Sequence, residues 1–317
     1  MKLKSEKPFV LAVTGPTASG KTWLGIELAK KYDGEIVSAD SIQVYKGLDI
    51  ASAKPDAQEM QGIPHHLIDF LDRNASFSVS DYVKLADQKI KEILSRGKLP
   101  IIVGGTGLYI DSLLNNVQFA ENETDEEYRK KLRTIAGIYG NDYLHAILAL
   151  NDPESAQSIH PNNLVRVIRA MEVFHTCGRK FSELKKEAVS TQSPYNSLII
   201  GLDYQDRQVL YDRINKRVDI MVSRGLVNEA QQLYQNGGMK TSANAIGYKE
   251  LIPYFNNTAS LDECIDRIKQ ETRRYAKRQL TWFRKNTRIQ WIILREFNQK
   301  NEILEKCEKA MANYKNI

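Results

Sequence analysis

The segment GPTASGKT at residues 15–22 constrains the fold more than any other part of this chain. It follows the apolar run FVLAV and precedes the helical-looking segment WLGIELAKKY. The octapeptide fits the phosphate-loop pattern G-x-x-x-x-G-K-[ST], in which a glycine-rich turn between a strand and a helix binds phosphate. The sequence therefore predicts a strand–loop–helix unit, with an anion site built from Gly15, Gly20, Lys21 and Thr22.

Short β-branched runs alternate with amphipathic segments, which is typical of a parallel sheet wrapped by helices. The predicted strands cover 9–14, 35–39, 65–70, 99–105, 197–203 and 289–294. The segment SVSDYVKLADQKIKEILSRG has one apolar face and is predicted as a crossover helix. The predicted fold class is α/β, a P-loop parallel sheet wrapped by helices, with a helical insertion domain.

The insertion is predicted at 115–195, because this region has helical segments but no convincing strand. The P-loop catalytic core then comprises 1–114 plus 196–317. Residues 206–236 are predicted as two helices broken at Gly225. The sequence LDECIDRIKQETRRYAKRQLTWFRK is predicted as one long helix before the last strand.

Composition limits the function classes without choosing among them. A chain of 317 residues with a formal net charge of +6 buries a sizeable core and attracts anions, either nucleic acid or phosphorylated substrates. The three cysteines, Cys177, Cys264 and Cys307, form no C-x-x-C pair, so neither a disulfide framework nor a zinc site is predicted. The apolar stretches are too short for a signal peptide or for the roughly 20 residues of a membrane helix. We therefore expect a cytoplasmic protein without a membrane segment.

The acidic residue that normally completes a nucleoside triphosphatase is missing from the expected place. Such proteins carry it at the end of a second apolar strand, whereas LPIIVGGTGLY ends in Gly104, Gly105 and Thr106. The acid at a strand end near the phosphate loop is instead Asp40. Because ligands of open parallel sheets lie at the carboxyl ends of the strands, Asp40 is predicted to face the phosphates or the group that reacts beside them. Asp40 and Thr106 could alternatively cap the helices that follow, or Thr106 could bond a phosphate oxygen.

The long helix predicted at 261–283 combines an apolar face with a dense positive face. From residue 269 onward, its cations and those just beyond it are Lys269, Arg273, Arg274, Lys277, Arg278, Arg284, Lys285 and Arg288. Such runs are usually solvated surface, but eight cations against the single acid Glu271 within residues 269–288 favour contact with nucleic-acid phosphates. Trp282 could stack on a base or pack in the core. His65 and His66 are predicted to be structural, since adjacent strand residues point to opposite faces.

Six motifs occur in a defined order along nearly the whole chain. They are GPTASGKT, SADSIQVYKGLDIASAKP, GIPHHLID, IIVGGTGLYI, IHPNN with RVIRAMEV, and YAKRQLTWFRK. Together they resemble the tRNA dimethylallyltransferase family, also called the tRNA isopentenyltransferase family, in its shorter bacterial form without a zinc-finger module. The resemblance implies transfer of a dimethylallyl group from dimethylallyl diphosphate to N6 of adenosine 37 in tRNA, with release of diphosphate. It also implies Mg²⁺ as cofactor, the tRNA anticodon stem-loop as partner, and a monomer.

The resemblance also assigns roles to residues. Asp40 and Thr106 are expected to be catalytic, with Asp40 accepting the N6 proton and Thr22 binding Mg²⁺. The expected diphosphate-binding residues are Gly15, Pro16, Thr17, Ala18, Ser19, Gly20, Lys21, Thr22 and Arg217. The expected tRNA-binding residues are Asp40, Ser41, Ile42, Gln43, Thr106, Arg129, Val165, Arg166, Val167, Ile168, Arg169, Asn244, Ala245, Ile246, Gly247, Tyr248, Lys249, Lys277, Arg278, Gln279, Leu280, Thr281, Trp282, Phe283 and Arg284.

Two departures from the family pattern and two alternative functions stay open at this point. IASAKP stands at 50–55 where IGTAKP is usual, and Val165 occupies a position that is often polar or basic. One alternative is a small-molecule or nucleoside kinase that binds ATP in the same loop. The other is an adenylate isopentenyltransferase, which prenylates free adenine nucleotides. The basic helix and the insertion favour RNA.

Overall fold

A computed structural model describes residues 7–117, 124–188, 192–235, 245–295 and 300–315. The strands are β1 (Phe9–Thr14), β2 (Gly34–Ala39), β3 (His65–His66), β4 (Leu99–Gly104), β5 (Asn196–Tyr204) and β6 (Ile289–Leu294). They form one parallel sheet in the order β3-β2-β4-β1-β5-β6. The strand that leads into GPTASGKT therefore lies inside the sheet, between β4 and β5.

Helices connect the strands of the sheet and also form a separate group. They are α1 (Lys21–Lys31), α2 (Ala57–Met60), α3 (Val79–Ser95), α4 (Gly107–Leu114), α5 (Glu126–Tyr139), α6 (Asn141–Asn151), α7 (Pro153–Ser158), α8 (Leu164–Cys177), α9 (Phe181–Ala188), α10 (Arg207–Ser223), α11 (Leu226–Gln235), α12 (Ile252–Phe255), α13 (Leu261–Phe283) and α14 (Lys300–Lys315). A 3-10 turn covers Lys249–Leu251. Within the described ranges, every helix falls short of the combined length and hydropathy that a membrane-spanning helix needs.

The central strand is buried on both faces. Leu11 and Val13 belong to one hydrophobic core, which also contains residues of α1, α10 and α14. Val10 and Ala12 point to the other face and belong to a second core with residues of α3 and α4. Two buried faces explain why β1 reads as a continuous apolar run rather than an alternating one. The predicted α/β class is confirmed.

One predicted strand is much shorter than expected. Residues 65–70 were predicted as a strand, but β3 contains only His65 and His66. Leu67 and Asp69 have φ values of +60° and +56°, in the left-handed region, so the extended backbone ends there. The predicted break between two helices is present, because α10 and α11 are separated around Gly225, whose φ is +101°.

The chain divides into two compact units, Met1–Leu114 with Pro194–Ile317, and Asn115–Ser193. The sheet belongs to the first unit. The second unit contains α5 to α9 and has its own core, in which Leu144, Leu148 and Val167 are fully or almost fully buried. The insertion predicted at 115–195 ends two residues beyond this division.

Candidate active site

The phosphate-loop segment forms a tight turn at the carboxyl end of β1. Gly15, Ala18 and Gly20 have φ values of +143°, +61° and +96°. Gly15 also packs against β5, where a Cβ would lie 2.5 Å from the carbonyl oxygen of Leu202. Since α1 begins at Lys21, its N-terminal N–H groups lie next to this turn. Such a turn at a helix N-terminus is a binding site for anions.

Arg213 on α10 supports the turn from outside. Its Nε donates a hydrogen bond to the carbonyl oxygen of Ala18 at 2.9 Å. Its guanidinium lies 5.7 Å from the centre of the Tyr204 ring. Ala18 is a non-glycine residue in the left-handed region, which costs energy unless neighbours hold it. Arg213 therefore stabilises the shape of the loop.

Two cations and one carboxylate influence each other beside the loop. Nζ of Lys21 donates to the carbonyl oxygen of Pro16 at 2.6 Å. Burial, and then the nearby charge of Arg217, lower the pKa of Lys21 to about 7, while Asp40 opposes the shift. Burial also lowers the pKa of Arg217, against the effect of Asp40, but a guanidinium stays charged in proteins. An anion bound here would favour the charged form of Lys21.

Asp40 follows β2, and residues 41–44 after it form a turn rather than the helix that Asp40 could have capped. Its Oδ1 accepts hydrogen bonds from the backbone N–H groups of Ile42 at 2.9 Å and Gln43 at 3.3 Å, as an aspartate does at the start of a turn. Within the described part of the chain, Oδ2 accepts no hydrogen bond from protein, and Asp40 lines a cavity. Asp40 therefore holds the turn after β2 and still presents a carboxylate to the site.

Thr106 joins the loop after β4 to the loop after β2. Its Oγ1 accepts from the backbone N–H of Ser41 at 3.2 Å, and its own N–H donates to the carbonyl oxygen of Ala39 at 3.1 Å. The two loops are so close that a Cβ on Gly104 would lie 2.1 Å from that same carbonyl oxygen. Thr106 is adjacent to the cavity lining, to which Gly105 belongs, but is not itself part of it.

Gln279 on α13 ties the phosphate loop to the loop after β4. Its Oε1 accepts from the N–H of Thr17 at 2.8 Å, and its Nε2 donates to the carbonyl oxygen of Gly105 at 2.9 Å. A Cβ on Gly105 would lie 2.2 Å from that Nε2, so a larger residue there would displace the amide of Gln279. The expectation for Gln279 was a tRNA contact, but its side chain is only 6% exposed and is engaged within the protein.

These elements surround a cavity of about 390 Å³ whose lining comes entirely from the unit that contains the sheet. The predicted site residues that it brings together are Thr17, Lys21, Thr22, Asp40, Ser41, Ile42, Gln43, Arg217, Ala245, Ile246, Gly247, Lys249, Arg278 and Gln279. Apolar residues such as Pro55, Met221 and Leu226 complete the lining. The cavity therefore has the size and mixed polarity of a small-molecule site.

The predicted tRNA-binding segments contain both exposed and buried side chains. On α13 and at Arg284 just after it, Lys277, Arg278, Thr281 and Arg284 are exposed, whereas Leu280 and Phe283 belong to the cores. The same division applies to α8 and to residues 245–249. Val165 and Arg166 are exposed, and Val167, Ile168 and Tyr248 are buried. The buried side chains are unavailable to a ligand in this structure, and Asn244 lies outside the described residues.

Several other predicted contacts are occupied within the protein. Nε1 of Trp282 donates to Asp111 Oδ2 at 2.6 Å, and its ring packs on Gly107, which favours the core interpretation of this tryptophan. Arg129 and Arg169 both form ion pairs with the fully buried Glu172, at 2.8 and 2.6 Å. Their guanidinium groups therefore organise the second unit.

Both histidines contact other groups of the protein, in line with the predicted structural role, but His65 also lines the cavity. His66 Nε2 lies 2.7 Å from a carboxylate oxygen of Glu35, and His65 Nδ1 lies 2.8 Å from the carbonyl oxygen of Ile63. The described residues contain no cluster of three or more His, Cys, Asp or Glu side chains that could hold a metal.

Sequence reasoning missed Glu229 on α11. Its carboxylate accepts hydrogen bonds from the backbone N–H groups of Asp49, Ile50 and Ala51, which are 178 to 180 residues earlier in the chain. No local pattern signals this role, because Glu229 looks like an ordinary polar residue of an amphipathic helix. The bridging roles of Gln279 and Arg213 were missed for the same reason.

The fold and the cavity define a P-loop α/β protein in which an anion site and a strand-end aspartate share one pocket. A family model described as IPP transferase matches residues 43–286. The chain belongs to the tRNA dimethylallyltransferase family. It is similar to the tRNA dimethylallyltransferases of Bacillus subtilis, with 50% identity over 91% of this chain and 92% of that protein, and of Caldanaerobacter subterraneus, with 46% identity over 96% and 97%.

Solved structures agree with this assignment. The full-length tRNA isopentenylpyrophosphate transferase of Bacillus halodurans is 44% identical, with a TM-score of 0.72 and coverage of 98% of this chain and 99% of that chain. A eukaryotic dimethylallyltransferase acting on tRNA, seen in crystallographic snapshots, is 30% identical with a TM-score of 0.82. The alignment with it covers 96% of this chain and 79% of that chain.

Proposed function

We propose that this protein transfers a dimethylallyl group from dimethylallyl diphosphate to N6 of adenosine 37 in tRNA and releases diphosphate. The observation that carries the proposal is the shared cavity: Lys21 and Thr22 of the phosphate loop and Asp40 of the neighbouring strand end line the same space. A donor with its diphosphate in the loop and an acceptor beside Asp40 would meet there. We further propose that the enzyme acts as a monomer in the cytoplasm.

The phosphate loop would hold the leaving group. Backbone N–H groups at the start of α1, with Lys21 and Arg217, would stabilise the negative charge that develops as the allylic carbon–oxygen bond breaks. The Thr22 hydroxyl is exposed in the first turn of α1, and a hydroxyl with phosphate oxygens and waters is a usual magnesium environment. Thr22 would therefore hold a Mg²⁺ that arrives with the diphosphate and offsets its charge.

Asp40 would act on the acceptor. The exocyclic N6 of adenine is a weak nucleophile because its lone pair is delocalised into the ring. As the N6–carbon bond forms, N6 loses a proton, and Oδ2 of Asp40 is available to accept it. Base assistance of this kind contributes about 10² to 10⁴ in rate. Thr106 would hold the turn that carries Asp40 through its bond to Ser41.

The RNA would contact exposed cations. Lys277, Arg278 and Arg284 lie exposed on or just after α13, and Arg166 lies exposed on α8 of the second unit. Lysine and arginine on phosphates supply sequence-independent affinity that falls with salt. Adenosine 37 would have to leave its stack to reach the cavity, as bases do in other enzymes that modify them.

Transfer of label from dimethylallyl diphosphate tests the proposal. The purified protein is incubated with the labelled donor, Mg²⁺ and one of three acceptors: tRNA, AMP or ATP. We expect label in tRNA only, lost when adenosine 37 is replaced by guanosine. Label in the mononucleotide alone would instead indicate the adenylate isopentenyltransferase alternative, and phosphate transfer from ATP without prenylation would indicate a kinase.

A further inference from the structure

Two turns form part of the cavity lining away from the phosphate loop. They comprise residues 51–53 and 245–249, and we call them the two-loop wall. Apart from the 3-10 turn that starts at Lys249, neither segment has regular secondary structure. Backbone N–H groups in such segments need partners from elsewhere in the protein. The position of the wall therefore depends on what those partners are.

Glu229 supplies the partners on one side. Its Oε2 accepts from the N–H groups of Asp49 and Ile50, both at 2.9 Å, and its Oε1 accepts from the N–H of Ala51 at 3.1 Å. Three successive N–H groups on one carboxylate form an anion-binding nest that the protein fills itself. Hydrogen bonds to a charged group are about twice as strong as neutral ones.

The same carboxylate holds the other turn. The hydroxyl of Tyr248, a fully buried residue of 245–249, donates to Oε1 of Glu229 at 2.8 Å. The two turns also touch directly, since a Cβ on Gly247 would lie 3.1 Å from the Cβ of Ala51. Gly247 has a φ of +113°, so its backbone shape is one that other residues rarely adopt. Glu229 is thus the shared anchor of both halves of the wall.

The wall continues into the residues beside Asp40. Nε2 of Gln43 donates to the carbonyl oxygens of Ser52 at 3.3 Å and Ala53 at 3.2 Å. The backbone N–H of Gln43 in turn donates to Oδ1 of Asp40. A shift of residues 51–53 would therefore be transmitted through Gln43 to the carboxylate of Asp40. Glu229 itself does not line the cavity, so it acts through the backbone it holds.

We propose that Glu229 is a positioning residue that fixes the two-loop wall and so determines how the adenine acceptor is placed beside Asp40. The inference rests on the proposed function, because it takes the acceptor to be an adenosine of tRNA and the donor to occupy the phosphate loop. Glu229 holds the acceptor side of the cavity and leaves the donor side unaffected. The rate of transfer, rather than the affinity for the donor, depends on it.

Single-turnover kinetics test this role. Each variant is loaded with labelled dimethylallyl diphosphate and mixed with saturating tRNA, and donor affinity and stoichiometry are measured separately. Glu229→Gln removes the charge and turns an N–H donor toward the nest. We expect its transfer rate constant to fall about tenfold, while one donor still binds per chain with a Kd within twofold of the wild type. Glu229→Asp, which keeps the charge, should recover part of the rate.

Two further variants complete the test. Tyr248→Phe removes one donor to Glu229 and keeps the buried ring, so it should fold and slow transfer about threefold. Asn228→Ala removes an exposed polar side chain from the same helix and should leave the rate unchanged. Wild-type transfer rates in both Glu229→Gln and Tyr248→Phe would overturn the inference alone. A loss of donor affinity as large as the loss of transfer rate would also overturn it, because the wall would then position the donor. A wild-type protein that does not prenylate tRNA would overturn the proposed function and this inference together.

Discussion

The two carboxylate oxygens of Asp40 separate a structural role from a chemical one. Oδ1 holds the N–H groups of Ile42 and Gln43, and an asparagine in the same rotamer would keep that contact through its amide oxygen. Asp40→Asn should therefore remove the base without removing the hydrogen bonds that hold the turn. We expect kcat to fall by about 10² to 10⁴ with an unchanged Kd for tRNA, measured by single-turnover transfer and filter binding.

Two further variants are compared with Asp40→Asn. Asp40→Ala removes the hydrogen bonds of the turn together with the base, so it should lower the melting temperature as well as kcat. Asp206→Asn changes a capping aspartate at the start of α10, away from the cavity lining, and should leave kcat unchanged. Full activity of Asp40→Asn would contradict the base assignment.

Lys21 makes donor binding dependent on pH. In the free protein its pKa is lowered to about 7, so the lysine is largely neutral at pH 8. A bound diphosphate favours the charged form, and therefore binding at pH 8 should take up a proton. We expect the affinity for inorganic diphosphate to weaken as the pH rises through about 7 and beyond. Titration calorimetry in buffers of different ionisation enthalpy measures the proton uptake.

Lys21→Arg provides the matched control, because an arginine stays charged across this range. Any proton uptake that the variant retains comes from the diphosphate itself and is subtracted. Equal uptake by the wild type and by Lys21→Arg would show that Lys21 does not titrate on binding.

At the scale of elements, α13 presents one face to the phosphate loop and another to solvent. Gln279 uses an acceptor for Thr17 and a donor for Gly105, and no carboxylate can replace both. Gln279→Glu would place an oxygen against the carbonyl of Gly105. We expect a rise of about tenfold in the KM for dimethylallyl diphosphate, because the loop loses its support. Gln270→Glu, an exposed change on the same helix, should leave that KM unaltered.

The outer face of α13 should govern the salt dependence of RNA binding. Lys277 is exposed on this face, and Lys285 is exposed just beyond the end of the helix. Each contact with a phosphate contributes about 0.7 to 0.9 to the slope of log affinity against log salt. Lys277→Ala and Lys285→Ala should each weaken tRNA binding and reduce this slope by that amount. Lys309→Ala, at an exposed lysine of α14, is the control. If all three variants had the same slope of log affinity against log salt, the outer face of α13 would not bind RNA.

The sequence predicted those elements that are determined by residues close together along the chain. The phosphate loop, the helix of 261–283 and the break at Gly225 follow from composition over a few residues, and Asp40 follows from its place at a strand end. β3 was predicted too long because the left-handed backbone at Leu67 and Asp69 leaves no pattern in the sequence. The contacts of Glu229 and Gln279 were not predictable, since their partners lie far away along the chain.

At the scale of the whole molecule, the two units are stabilised by separate cores. The cores around the sheet contain no residue of Asn115–Ser193 among those described, and the core of that second unit contains no residue of the first. Local stability is therefore expected to differ between the units, and a substitution in one core should destabilise mainly the unit that contains it. Glu172 offers a way to test this, because it belongs to the second unit and is fully buried.

Glu172 is fully buried and accepts hydrogen bonds from Arg129, Arg169 and the N–H of Asp125. Burial alone would raise the pKa of Glu172, but these partners lower it below its usual value. Its contribution to stability is thus present above the unfolded-state pKa and is lost as the pH falls through the folded-state value.

Replacing Glu172 by alanine removes the carboxylate that Arg129 and Arg169 share, although Arg129 keeps its ion pair with Glu126. We expect a loss of about 3 kcal/mol, at the low end for a broken buried pair because both arginines are partly exposed. Amide hydrogen exchange at pH 7 should accelerate in α5 and α8, while β1, β4 and the affinity for diphosphate stay unchanged. Leu150→Ala, at an exposed position of α6 in the same unit, should not alter exchange. Equal acceleration across the sheet in Glu172→Ala would mean that the two units unfold as one.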